Sequence, residues 1–217
     1  MKNLRQNKHR SNRSNAYSKS KCSNWAAFDP FFGELAQIRQ DHEPTTVLEL
    51  ANDVKIGIYV RPLHEDFIRP YNVADVEKAL RGVPVPFLKN LNRIILLGGT
   101  KKQNQTAWSK MFRYGAYCDR GWIALTAYPR RMMTMEHDGT IQPHHQHEYQ
   151  RTFTKTWQEG DKWYVKFDEE SLKRFYLQDT LIHEIGHHVD WCRRKHWRDV
   201  TEEFAEWFAR EYGFARK

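Results

Sequence analysis

Leu181 to Asp190 reads L-I-H-E-I-G-H-H-V-D. His183, Glu184 and His187 lie among the apolar residues Leu181, Ile182, Ile185 and Val189. Polar groups in such a run cost free energy unless something satisfies them. On a helix, His183 and His187 stand one turn apart on the same face, where two imidazoles can share a metal ion. Glu184 follows the first histidine, so its carboxylate lies beside such an ion rather than pointing straight at it. This is the H-E-x-x-H pattern, in which the histidines bind zinc and the glutamate works on water. A histidine-rich chain of 217 residues holds the pentapeptide by chance in about one to a few per cent of cases. Its surroundings therefore decide the matter.

A catalytic zinc wants three protein ligands and one open position. The next segment, E-E-F-A-E-W-F-A-R-E-Y from Glu202, reads as a helix stopped by Gly213. D-V-T-E, Asp199 to Glu202, fits a capping box with Asp199 in the cap position. With Glu202 at zero on a wheel of about 100° per residue, Phe204, Ala205, Phe208, Ala209 and Tyr212 fill an arc from about 200° to about 340°. Glu202 borders that arc. Glu206 follows one turn later, at about 40°, and Glu203 leans toward solvent at about 100°. Glu202 is thus the expected third ligand. Glu206 is expected to accept the free N–H of a ligand histidine. Ala205 and Ala209 are small enough to let the two helices approach.

H-E-I-G-H-H-V-D followed by E-E-F-A-E-W-F-A resembles the gluzincin zinc metallopeptidases, and among them the catalytic domain of the anthrax lethal factor type. The thermolysin-like and aminopeptidase branches are similar in pairing H-E-x-x-H with a glutamate on a following helix. The resemblance spans Leu181 to Ala215. It implies one Zn2+ per chain held by His183, His187 and Glu202, Glu184 as the catalytic acid/base, and Glu206 behind the ligands. It also implies hydrolysis of a protein or peptide substrate. The short spacer between His187 and Glu202 implies a minimal form of the fold. For the oxyanion-stabilising Tyr or His of the family, His196 and Tyr212 are the candidates. A second similarity is to small regulatory peptidases that cleave DNA-bound repressors and carry H-E-x-G-H-H. Their motif precedes a larger C-terminal portion, whereas here it lies near the C-terminus.

Neighbouring residues have plainer expectations. His188 points about 100° away from the pair and reads as surface or as a group behind the ligands. Asp190 can cap or pair with Arg193 or Arg194. H-H-Q-H-E, His144 to Glu148, follows Pro143 in a polar segment and reads as a solvated loop. Trp207 and Phe208 read as packing.

Upstream the order is strands first, helices last. K-I-G-I-Y-V-R-P-L from Lys55, R-I-I-L-L-G-G from Arg93 and G-W-I-A-L-T-A-Y-P from Gly121 read as strands, the second buried on both faces. Val73 to Arg81 reads as a short amphipathic helix ended by Gly82 and Pro84. T-F-T-K-T-W and K-W-Y-V-K-F flank a hairpin turn containing Gly160. Asp168 can cap a helix that either runs unbroken to about Arg194 or restarts near Asp179. This order predicts an α+β fold with a mixed or antiparallel sheet, and the resemblance implies its zincin-like form, with an active-site helix followed by a C-terminal ligand-bearing helix. Ile123 to Pro129 is the expected strand at the cleft edge, able to pair with an extended substrate, a role that the resemblance in part implies.

The formal charge is +8. Between Met1 and Lys21 stand Lys2, Arg5, Lys8, Arg10, Arg13, Lys19 and Lys21, with no acid. Residues 1–24 are expected to be a basic disordered tail, and residues 25–217 the zincin-like domain. Such a tail suits nucleic acid, so the alternative function is a non-catalytic zincin-fold protein that binds nucleic acid through it. The N-terminus has no apolar core of a secretory signal, and no apolar run is long enough for a membrane span. Cys22, Cys118 and Cys192 form neither a disulfide framework nor a C-x-x-C site, which points to a reducing cytoplasm.

Overall fold

The computed structural model describes residues 43–51, 53–101, 103, 115–119, 121–138, 141, 143–194 and 201–214. The basic N-terminal segment, the boundary expected at residue 24, Asp199 and His196 lie outside them.

Thr46–Ala51 (β1) and Val54–Val60 (β2) pair antiparallel. After Phe67–Ile68 (β3), Asn72 caps Val73–Arg81 (α1). The Asn72 side chain accepts from Asp75 N, and the Asp75 carboxylate accepts from Asn72 N, so the helix starts at a reciprocal capping box. Arg93–Leu96 (β4), Ala116–Asp119 (β5) and Trp122–Leu125 (β6) complete a sheet ordered β1-β2-β4-β6-β5. Its middle is parallel and both its outer pairs are antiparallel. Ile58, Ile94 and Ile123 pair across the three inner strands and are fully buried. Ile94, Ile95 and Leu96 are all buried, as β4 needs when both faces of a parallel section are covered.

One expectation changes here. Trp122–Leu125 is paired on both sides, so it is not the edge. Among the described residues the outer strand on that side is β5, whose four residues carry too little alternation to announce a strand. Strand order depends on distant partners, which local pattern does not encode. Tyr128–Pro129 (β7) leaves the sheet and pairs with β3.

Thr134–Asp138 (β8) joins the predicted hairpin. Lys155–Glu159 (β9) and Lys162–Lys166 (β10) pair antiparallel around Gly160, which takes φ +63° in the turn. Between β8 and β9, Pro143–Arg151 (α2) is a helix, not the expected loop. Pro143 occupies the first helical position, where its missing N–H costs nothing.

Asp168 caps Glu169–Arg174 (α3) through a reciprocal box with Ser171. The helix widens into a π turn, Phe175–Thr180, and continues as Leu181–Arg194 (α4). The run is therefore unbroken, with a change of pitch where a restart was the alternative. Glu202–Ala209 (α5) begins at Thr201, whose hydroxyl accepts from Phe204 N at 3.3 Å; the cap is Thr201 rather than Asp199. Nor does Gly213 stop the last helix. A second π turn, Arg210–Phe214, runs through it, and a Cβ on Gly213 would lie 1.8 Å from the Gln178 carbonyl oxygen. The glycine is needed for close passage of two backbones, not for a left-handed cap.

Helix α4 packs between the β5–β6 side of the sheet and α5. Leu181, Ile182, Ile185 and Val189 from α4 join Phe208 from α5 in the core. The class is α+β, with a mixed sheet followed by C-terminal helices. Among the described residues, no helix is long and apolar enough to cross a membrane.

Candidate metal centre

On α4, His183 Nε2 and His187 Nε2 are 3.1 Å apart. Glu202, in the first turn of α5, places Oε2 3.2 Å from His183 Nε2 and Oε1 3.5 Å from His187 Nε2. Among the described residues this is the one trio of His, Cys, Asp or Glu whose ligand atoms gather within 4.8 Å. The histidines are largely buried, while the Glu202 side chain is 83 % exposed. The site thus opens to solvent on the Glu202 side.

Three features bring Glu202 to the histidines. Gly186 lets α5 approach: a Cβ there would stand 2.8 Å from Ala205 Cα. Asp190, buried near the end of α4, accepts from Thr201 N through Oδ2 at 3.1 Å. Its Oδ1 accepts from Arg194 Nε at 2.6 Å. Thr201 then caps α5, and Glu202 is the next residue. Asp190 had an expected ion-pair role, and it has that, but it also anchors the start of the ligand helix. Its position three residues past His187, in an apolar environment, was the available signal.

Glu206 divides its two oxygens. Oε2 lies 3.8 Å from His183 Nδ1, while Oε1 accepts from Arg151 Nη1 at 2.6 Å and Arg210 Nη2 at 3.1 Å. Arg151 Nη2 donates to Asp179 Oδ1 at 2.7 Å. Contact with His183, ahead of Arg151 and Arg210, holds the Glu206 carboxyl well below the usual range. Burial raises Glu184 to about 7; His183 opposes that shift and Glu202 adds to it. Burial, then the neighbouring His183, lowers His187 and keeps its imidazole neutral, the form that can donate a lone pair. For His183, burial acts downward, but the Glu206, Glu184 and Glu202 carboxylates outweigh it and raise the pKa.

The donor set fits zinc. Tetrahedral zinc with bonds of about 2.0–2.1 Å keeps its ligand atoms about 3.3 Å apart. The nitrogens stand 3.1 Å apart and Glu202 Oε2 lies 3.2 Å from His183 Nε2, both near that value, while one ligand atom from each of the three residues lies within 4.8 Å of the others. Two imidazoles and one carboxylate also leave a fourth position free.

Other predicted residues fall elsewhere. Glu203 is exposed and stands outside the trio. His188 is buried, not on the surface; its Nε2 donates to Lys89 O at 2.9 Å, tying α4 to the turn before β4. Cys192 lies 3.7 Å from the same nitrogen, turned from the trio. Tyr212 is not brought to the site. Its ring packs on Phe87, Phe208 and Trp207 and borders a cleft beside α1, about 15 Å along the helix from Glu202. Phe208 is fully buried, whereas Trp207 is half-exposed. Arg151 was not foreseen, since a cation from a separate helix carries no local signal.

No protein family, no curated protein and no solved structure matches the chain.

Proposed function

We propose that the chain is a zinc-dependent peptidase with a zincin-like, gluzincin-type site. The observation that carries this is the spacing of His183 Nε2, His187 Nε2 and the Glu202 carboxylate, with the half-buried Glu184 next to His183 on the same helix. These three side chains would hold one zinc ion. Bound zinc supplies Lewis-acid polarisation of a water and of the scissile carbonyl.

The chain's own groups do the rest. Glu184, which burial raises to about 7 in the metal-free chain, would take a proton from the attacking water and return it to the leaving amine. His187 presents a neutral Nε2. Glu206 faces His183 Nδ1 and favours the tautomer that leaves Nε2 free for metal. Strand β5 is an outer strand against which α4 packs, so it offers backbone hydrogen bonds to an extended peptide.

The test is metal analysis of the purified chain together with hydrolysis of an unfolded protein. About one zinc per chain is expected, with activity lost to a chelator and restored by zinc. A chain that takes up no zinc, or hydrolysis indifferent to the chelator, sinks the proposal.

A further inference from the structure

We propose that Arg151 is a positioning residue of this zinc site: its guanidinium, clamped between Asp179 and Glu206, aims Glu206 at His183 Nδ1 and so orients the imidazole that binds metal. The inference rests on the zinc reading above.

Arg151 ends α2, a helix separate from those that carry the trio. Its side chain is only 16 % exposed. Nη1 meets Glu206 on α5 at 2.6 Å and Nη2 meets Asp179 at 2.7 Å. Asp179 belongs to the π turn that leads directly into α4. One planar fork therefore joins the entry of the histidine helix to the glutamate helix.

The atoms used matter. Arg151 holds Oε1 of Glu206, and Oε2 is the oxygen that faces His183 Nδ1. Fixing one oxygen of a planar carboxylate fixes the direction of the other. Arg210 also reaches Oε1, but from the same helix and with a side chain 60 % exposed, so it bridges no second element. Without the guanidinium, Asp179 and Glu206 would lose the cation that bridges them, and like charges separate. A lysine would present one ammonium in place of the fork and could not hold both carboxylates in this geometry.

The test uses the full chain and zinc alone. Zinc affinity is measured by competition with a chromophoric chelator, and the visible spectrum is recorded with Co2+ in place of zinc. Arg151→Met should weaken zinc by about 10- to 100-fold, the usual effect of removing a partner of a ligand histidine, and shift the Co2+ bands. Because Arg151 acts through Glu206, the double variant with Glu206→Gln should bind zinc no more weakly than Glu206→Gln alone. Wild-type affinity in Arg151→Met, or additive losses in the double variant, overturns the inference while leaving the zinc reading intact. If the unaltered chain binds no zinc, the zinc reading itself falls and takes this inference with it. Should Arg151→Met fail to fold, Arg151→Lys replaces it. About a tenfold loss is then expected, and an unchanged constant again overturns the role.

Discussion

Gly186 and Ala205 touch backbone to backbone: a Cβ on Gly186 would stand 2.8 Å from Ala205 Cα and 3.0 Å from Phe208 Cβ. This contact sets how near α5 lies to α4. It therefore sets whether Glu202, three residues before Ala205, reaches the histidine pair on the next helix.

Gly186→Ala should push the helices apart. Overpacking of this kind costs about 1–3 kcal/mol. The substitution should lower the thermal midpoint and weaken zinc together, because the Glu202 carboxylate moves off the imidazoles. Unchanged stability and unchanged zinc content would mean the helices can shift without harm, and the contact would not be what places the ligand.

Glu184→Gln should keep the fold and the zinc and lose hydrolysis by about 10²- to 10⁴-fold, the usual worth of a positioned proton acceptor. Glutamine matches the shape of glutamate and cannot take the proton. Turnover near that of the unaltered chain in this variant would falsify the role assigned to Glu184.

Glu202 and Glu203 are neighbours in sequence and lie on different sides of α5. Removing Glu202 leaves two histidines, an incomplete ligand set, so Glu202→Ala should lose zinc and activity. Glu203 is exposed and outside the trio, so Glu203→Ala should change stability by less than about half a kcal/mol and retain the metal. Zinc content measured on both variants decides. A loss confined to Glu203→Ala would require the site to be rebuilt around the other acid.

Burial raises the Asp179 carboxyl to about 6, although Arg151 opposes the shift. The unfolded chain releases this proton near 3.8 and the folded chain holds it to about 6. Folding is therefore penalised progressively as pH rises through that window, with the full penalty above it. At 1.36 kcal/mol per pH unit the penalty is at most about 3 kcal/mol. Asp179→Asn has no proton to release, so denaturant unfolding between pH 4 and 6 should show a flatter dependence than the unaltered chain. Parallel profiles would refute the shifted titration.

Local order was legible in the residues. Asn72 and Gly82 bound α1 where its periodicity predicted, and Gly160 marks the hairpin turn. Helical phase alone separated Glu202 from Glu203, and the trio gathers around the predicted member. The boundaries that slipped were caps and breaks. Thr201 displaced Asp199 because Thr201 is where Asp190 anchors the backbone. The helix ran through Gly213 because Gln178 crosses there. His144 to Glu148 became helical behind Pro143, where polarity had argued for a loop.

What the sequence by itself determined is whatever repeats at short range. His183 and His187 one turn apart, Glu184 beside them, and the apolar faces of α4 and α5 all follow from the pitch of one helix. Tertiary structure decided what two distant segments must agree on. It made β5 rather than β6 the outer strand, buried His188 against the Lys89 carbonyl, and brought Arg151 between Asp179 and Glu206. The reason is physical. A helix turn fixes the separation of residues three and four apart whatever surrounds them. The meeting of residues 28 or 55 positions apart is set by loop closure and by the packing of every element between them.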